Sequence, residues 1–205
     1  MYVSDFKLHR ISVFDASGSY VRSFGEKGGG EGQFVGPLGL AFTAGGDLVV
    51  ADSGNHRVQV LREDGTFVRA FGSEGTGEGE FDGPCTVAAA SDGSVFVVDQ
   101  GNARVQVFDS SGVFVRSFGS RGDGAGQFQK PFGVALSADG KVFVSDWRRN
   151  DLQVFTREGV YVERVGSDGA NGCVLGAPQG LASDESGRVF VACRRSCDVA
   201  MLSEV

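Results

Sequence analysis

Apolar residues fall in short bursts along this chain, each about five residues long and bounded by glycine-bearing turns. Two kinds of burst recur. VFVVD, VFVSD and VFVAC are continuously apolar, the pattern of strands covered on both faces. RVQVF and FVRSF alternate apolar with polar residues, the pattern of strands nearer solvent. Nowhere do the apolar positions adopt the 3.6-residue spacing of an amphipathic helix, so the bursts predict strands throughout.

The bursts repeat at a fixed interval. ADSGNHRVQVLREDGTFVRAFG (Ala51 to Gly72) returns 47 residues later as VDQGNARVQVFDSSGVFVRSFG, and after the same step as SDWRRNDLQVFTREGVYVERVG. One step back gives SDFKLHRISVFDASGSYVRSFG. Gly25, Gly72, Gly119 and Gly166 are equally spaced, as are Pro37, Pro84, Pro131 and Pro178, the only prolines in the chain. Within one period the strand signals fall at Gly39–Thr43, Asp47–Ala51, Arg57–Arg62 and Thr66–Phe71. Glycine stands at the hairpin tips, where a positive φ is least costly: Gly46, Gly93, Gly140 and Gly187 in one series, Gly18, Gly65, Gly112 and Gly159 in the other. Glycine-rich links join the periods, and their phenylalanines (Phe34, Phe81, Phe128) are expected to plug the gap between neighbouring sheets.

Four-stranded antiparallel sheets at this spacing are the blades of a β-propeller. A single all-β domain over 1–205 is therefore expected. Complete blades cover 37–72, 84–119 and 131–166, and partial ones cover 1–25 (a third-fourth strand pair) and 178–205 (the first three strands). These make about 4.4 repeats of 47 residues, fewer than a large propeller needs. The expectation is an incomplete or open ring: a fragment of a longer chain, or one completed by self-association.

The run of proline, glycine, apolar strand, D-G, V-F-V-x-D, G-N-x-R-V-Q-V-F, D-x-x-G and F-V-R-x-F-G resembles the NHL repeat family over nearly the whole chain. That resemblance implies a six-bladed type of propeller and a non-enzymatic scaffold that binds protein or RNA. It also implies, as an alternative, the substrate-recognition portion of a longer ubiquitin ligase whose zinc-binding modules lie upstream. A reading of another class is a fragment of a propeller hydrolase or lyase.

Composition narrows these readings. The formal charge of -7 argues against bulk attraction to nucleic acid or an anionic membrane, without excluding a local basic patch. No apolar run is long enough to span a bilayer, and the first residues lack the basic start and apolar core of a signal peptide. A cytoplasmic location and no membrane partner are expected. Four cysteines, at 85, 173, 193 and 197, do not follow the repeat and read as free thiols.

Candidate chemistry is sparse. Asp52, Asp99 and Asp146 recur in every complete period, which favours strand-end carboxylates bonding the backbone of the G-N turn over a catalytic group. The links resemble phosphate loops but lead into strands, so they read as flexible connections. His9 and His56 are too few for a zinc centre, and Cys193 with Cys197 has no second pair. No catalytic residue, metal site or cofactor is expected. One departure from the repeat stands out: the second-to-third strand loop, SGNH and QGNA in earlier periods, becomes WRRN and then RRSC. Trp147, Arg148, Arg149, Arg194 and Arg195, with Arg121 from the link on the same face, form the candidate binding surface, since tryptophan and arginine dominate interaction hot spots. Protein is the expected partner and RNA, stacked on the tryptophan, the competing one. The opposite, hairpin face carries Asp15, Asp47, Glu63, Asp64, Asp92, Asp109, Asp139, Glu158, Asp184 and Glu185, and should be acidic.

Overall fold

The computed structural model describes residues 1–166, 175–184 and 186–202. Cys173, most of the last link and Glu185 lie outside the described residues. Among the described residues every regular element is a strand apart from one 3-10 turn at Ser53–Asn55. The first sheet holds β1 (Tyr2–Asp5), β2 (Arg10–Phe14) and β3 (Tyr20–Phe24). The second holds β4 (Pro37–Phe42), β5 (Leu48–Asp52), β6 (Arg57–Leu61) and β7 (Phe67–Phe71). Short strands β8 (Ser73–Glu74) and β9 (Glu80–Phe81) pair in parallel within the next link. The third sheet contains β10 (Pro84–Ala89), β11 (Val95–Asp99), β12 (Arg104–Phe108) and β13 (Phe114–Phe118), and the link after it pairs β14 (Ser120–Arg121) with β15 (Gln127–Phe128). The fourth holds β16 (Pro131–Leu136), β17 (Lys141–Asp146), β18 (Asp151–Thr156) and β19 (Tyr161–Val165). The fifth holds β20 (Pro178–Ser183), β21 (Val189–Cys193) and β22 (Asp198–Leu202). Each blade sheet keeps chain order, the antiparallel meander of a propeller blade.

Three expectations are corrected. Among the described residues five blade sheets stand, in line with three complete and two partial repeats but not with the six-bladed type that the resemblance implied. The first has three strands rather than two, because Tyr2–Asp5 pairs with β2 from Tyr2↔Val13 to Asp5↔Arg10. YVSD holds too short an apolar run to announce itself as a strand. The first strand of each later blade begins at the proline itself, which an edge strand tolerates because no ladder donor is needed there.

Contacts divide the chain into two compact units, residues 1–97 with 107–115, and residues 98–106 with 116–205. In the first unit Phe34 is fully buried with Ile11, Leu48, Val50 and Leu61, and Phe81 with Val49, Val58, Val60 and Phe108. In the second, the fully buried Phe128 ring lies 5.7 Å from that of Phe155, tilted by 46°. Leu175 takes the plug position of the last link, buried with Leu152, Val154 and Val189. Truncating such a buried phenylalanine costs about 3–5 kcal/mol. Gly72 explains one of the spaced glycines: its φ is +93°, and a Cβ there would lie 2.3 Å from the Phe81 ring.

The three links that lie wholly among the described residues carry hydrogen bonds of their own. Besides the parallel pairs, the side chain of Gln33, Glu80 or Gln127 accepts a backbone N–H from Gly30 (3.0 Å), Gly77 (2.8 Å) or Gly124 (3.0 Å). Each link thereby closes on itself, which glycine-rich composition does not reveal.

Candidate functional site

The repeated signature residues converge on the links. Asp52 ends β5 fully buried, and its Oδ1 accepts the Val35 backbone N–H at 2.7 Å. Its Oδ2 accepts from Asn55 Nδ2 (2.9 Å), Arg57 Nε (2.9 Å) and Gln59 Nε2 (3.0 Å). Arg57 donates onward from Nη1 to the Gly29 carbonyl, and from Nη2 to those of Gly30 and Gln33. Gln59 donates to the Gln33 carbonyl at 2.7 Å and accepts the Gly32 N–H at 3.0 Å. D…G-N-x-R-V-Q is thus a clamp that holds the preceding link on the sheet. Asp99 is met likewise by Asn102, Arg104 and Gln106. A buried carboxylate is tolerated only when paired and hydrogen-bonded, and these are.

A second latch lies next to the clamp. His9, His56, Ala103, Asn150 and Cys197 occupy equivalent positions, all with positive φ. His9 Nδ1 accepts the Gly36 N–H at 2.9 Å and His56 Nδ1 the Gly83 N–H at 3.2 Å. Asn150 Oδ1 accepts the Ala177 N–H at 2.9 Å. The two histidines therefore act as backbone acceptors reaching into the next link. Among the described residues no group of three or more His, Cys, Asp or Glu is placed to hold a metal ion.

In the fourth sheet the clamp is rebuilt with its charges exchanged. Asp151 stands where β6 and β12 carry arginine, and Arg149 stands where the loops carry asparagine. Arg149 Nε lies 3.0 Å from Asp151 Oδ2, with side-chain exposures of 6% and 1%. Its Nη1 donates to the carbonyls of Gly122, Gly124 and Gln127. Asp146 accepts the backbone N–H of Gln129 and Lys130 in the link and of Arg148 and Arg149 in its own turn. Burial pushes the Asp151 carboxyl above its ordinary range, against the pull of Arg149.

Arg149 is thus built into the blade, and the remaining candidates are distributed differently. Arg121, Arg148, Arg194 and Arg195 are exposed and Trp147 is half-buried. Among the described residues none of these four arginines forms an ion pair, although Arg121 Nη2 donates to the Gly101 carbonyl. The two altered loops are joined through one residue. Ala177 gives its N–H to Asn150 Oδ1 and accepts the Arg194 N–H on its carbonyl at 3.1 Å, while Arg195 N–H bonds the Gly176 carbonyl at 2.9 Å. Asp198, a potential internal counter-charge, accepts the Ser196 hydroxyl instead.

The acidic hairpin residues serve their own turns. Asp15, Asp109 and Asp184 each accept a serine hydroxyl and backbone N–H groups two and four residues on. These bonds hold the carboxyls below their ordinary range; for Asp184 the Ser186 hydroxyl and then Arg188 bring the value to about 2. Sequence reasoning missed the histidine-asparagine latch and which of the loop arginines pairs with Asp151. The Arg-x-Asp exchange at 149 and 151 was the available signal.

The family model for the NHL repeat matches residues 34–61, the stretch from the buried Phe34 through Asp52, Arg57 and Gln59. The blade topology is that of a β-propeller, and the matched repeat lies within it. No curated protein matches. Virginiamycin B lyase from Staphylococcus aureus superposes with a TM-score of 0.67 at 14% identity, covering 98% of this chain and 60% of that one. A gluconolactonase from Xanthomonas campestris gives 0.70 at 17% identity, over 98% of this chain and 67% of that one. The nidogen/laminin complex gives 0.74 at 16% identity, over 98% and 70%. This chain spans less than two thirds of the lyase. At these identities the likeness is one of fold, which enzymes and binding proteins share.

Proposed function

We propose that this chain is a non-enzymatic interaction module that binds a protein partner through the loops of its fourth and fifth blades. The observation that carries this reading is the coupling of the Trp147–Asn150 and Arg194–Cys197 loops through Ala177. It brings an aromatic side chain and three arginines without ion pairs, Arg148, Arg194 and Arg195, onto two backbone-anchored loops. Anchoring lowers the ordering cost of binding, and arginine beside tryptophan is the composition of a hot spot. Arg121, tied to the Gly101 carbonyl, extends the basic surface. The signature carboxylates and histidines are engaged in holding links, which leaves them no role in turnover under this reading. The nidogen/laminin neighbour, a propeller in a protein complex, fits the same class. Service as the recognition end of a larger ligase and a cytoplasmic location are compatible extensions.

A random peptide library and a random RNA pool should be panned against the native chain and a Trp147→Ala, Arg148→Glu, Arg195→Glu variant, leaving Arg149 intact. Peptides enriched only by the native chain support the proposal. Selection of RNA alone makes RNA the ligand, and equal retention by the two proteins overturns the surface.

A further inference from the structure

A cleft of about 570 Å³ opens between the link after β14 and the outer strand β19, lined by Asp123, Arg149, Gln153, Tyr161, Val162 and Arg164 among others. Gln153 pairs across the sheet with Arg164, and Phe155 with Tyr161, so these side chains share one face. Glu163, which pairs with Val154 on the alternate register of the strand, also lines the cleft.

Hydrogen bonding in this cleft differs from its counterpart in the second sheet. There Arg57 uses Nε, Nη1 and Nη2 on Asp52, Gly29, Gly30 and Gln33. Arg149 instead directs Nε to Asp151 and Nη1 to link carbonyls, while its Nη2 has no acceptor among the described residues. A second guanidinium, Arg164, stands where the second and third sheets carry Ala70 and Ser117. Arg164 approaches Asp151 only at 3.8 Å through Nε and has no other acceptor among the described residues. The Tyr161 hydroxyl, which replaces the hydrogen of Phe67 and Phe114, is likewise without one. Two guanidinium groups thus face the single buried carboxylate of Asp151, with spare donors on both and on a phenol. Val162 gives the cleft an apolar wall, and Asp123 stands at the rim beside Gln129 Nε2.

We propose that this cleft binds the carboxylate of a small monoanionic molecule, held by Arg149 Nη2, Arg164 and the Tyr161 hydroxyl. Planar guanidinium donors match a carboxylate in geometry, and charge-assisted bonds in a half-enclosed site are the stronger kind. Asp123 and Glu163, the two carboxylates that line the cleft, disfavour dianions, which selects carboxylate over phosphate. The cleft shares no side chain with the loop surface proposed above, so either proposal can fail alone.

Propionate, inorganic phosphate and chloride should be titrated into the full chain at constant ionic strength, following the arginine Nε–H resonances by NMR. Saturable shifts of Arg149 and Arg164 with propionate are expected, weaker ones with phosphate and none with chloride. Arg164→Gln should weaken propionate binding by about tenfold and Tyr161→Phe by about threefold, while Asp123→Asn should improve phosphate binding. Arg164 is half-exposed, and unchanged dispersion of the other resonances reports that the variants fold. Equal shifts with all three anions, or the same saturation in Arg164→Gln, would overturn the site.

Discussion

The second and fourth blade sheets perform one mechanical task with opposite charge placement. In the second, a buried Asp52 gathers Asn55, Arg57 and Gln59, and the arginine reaches from β6 to the link carbonyls. In the fourth, β18 contributes Asp151, and the arginine comes from the loop two residues earlier and reaches the equivalent carbonyls of Gly124 and Gln127. Gln153 keeps the role of Gln59, donating to the Gln127 carbonyl and accepting the Gly126 N–H. What the sheet requires is a guanidinium at the link carbonyls and a carboxylate beside it; which strand position supplies each is free to change. The exchange has a consequence. Asp52 is fully provided with donors, whereas Asp151 Oδ1 has none among the described residues, and burial raises the Asp151 pKa. The fourth sheet is the looser version, and it lies beside the loops that depart most from the repeat.

The largest effect should come from removing either guanidinium. Arg57→Ala and Arg149→Ala each remove the close cationic partner of a buried carboxylate and should each cost about 3–5 kcal/mol in urea denaturation. A loss below about 1 kcal/mol for Arg149→Ala would place it among surface arginines.

A smaller effect separates the latches. His56→Ala removes the acceptor of the Gly83 N–H and should cost about 1–2 kcal/mol. His56→Asn should recover most of that, because Asn150 accepts the equivalent N–H of Ala177 at the same positive φ. Equal losses for the two variants would show that the imidazole has another duty.

Acid titration should give the smallest and most diagnostic difference. The folded pKa values of Asp15, Asp109 and Asp184 are lowered, so their turns add stability above the ordinary carboxylate pKa and lose it as pH falls towards the folded values. Asp151 has the opposite sign: its folded pKa is raised, so the native state binds a proton more readily than the unfolded chain. Acidification from above that raised value towards the ordinary carboxylate pKa should therefore favour folding. Denaturation midpoints across this window should show a gain in the native chain that Asp151→Asn abolishes. Asp184→Asn should instead blunt the loss at lower pH.

Much of this fold was legible because the repeat makes each blade testify for the others. Gly72 against Phe81 and Leu175 in the phenylalanine position obey spacing alone. The β1 strand was hidden because YVSD is brief and half-polar. The links were read as loose because glycine count says nothing of the Gln33, Glu80 and Gln127 side chains that tie them. At the candidate surface, sequence identified the altered loops, but Arg149 could not be told from Arg148. Adjacent residues of a tight turn point in different directions, and only the Asp151 exchange distinguishes the buried one. The coupling through Ala177 joins the Asn150 side chain on one side to a backbone bond from Arg194 on the other, and the latter leaves no trace in residue type.

A double-mutant cycle at positions 149 and 151 tests the exchange most directly. Arg149→Asn and Asp151→Arg each break the clamp, and together they write the second-sheet pattern into the fourth sheet. The account predicts that each single variant loses about 3–5 kcal/mol, and that the double variant recovers most of the loss, with a coupling of about 2–3 kcal/mol or more. Simple addition of the two losses would contradict the claim that Arg149 has taken over the work of Arg57.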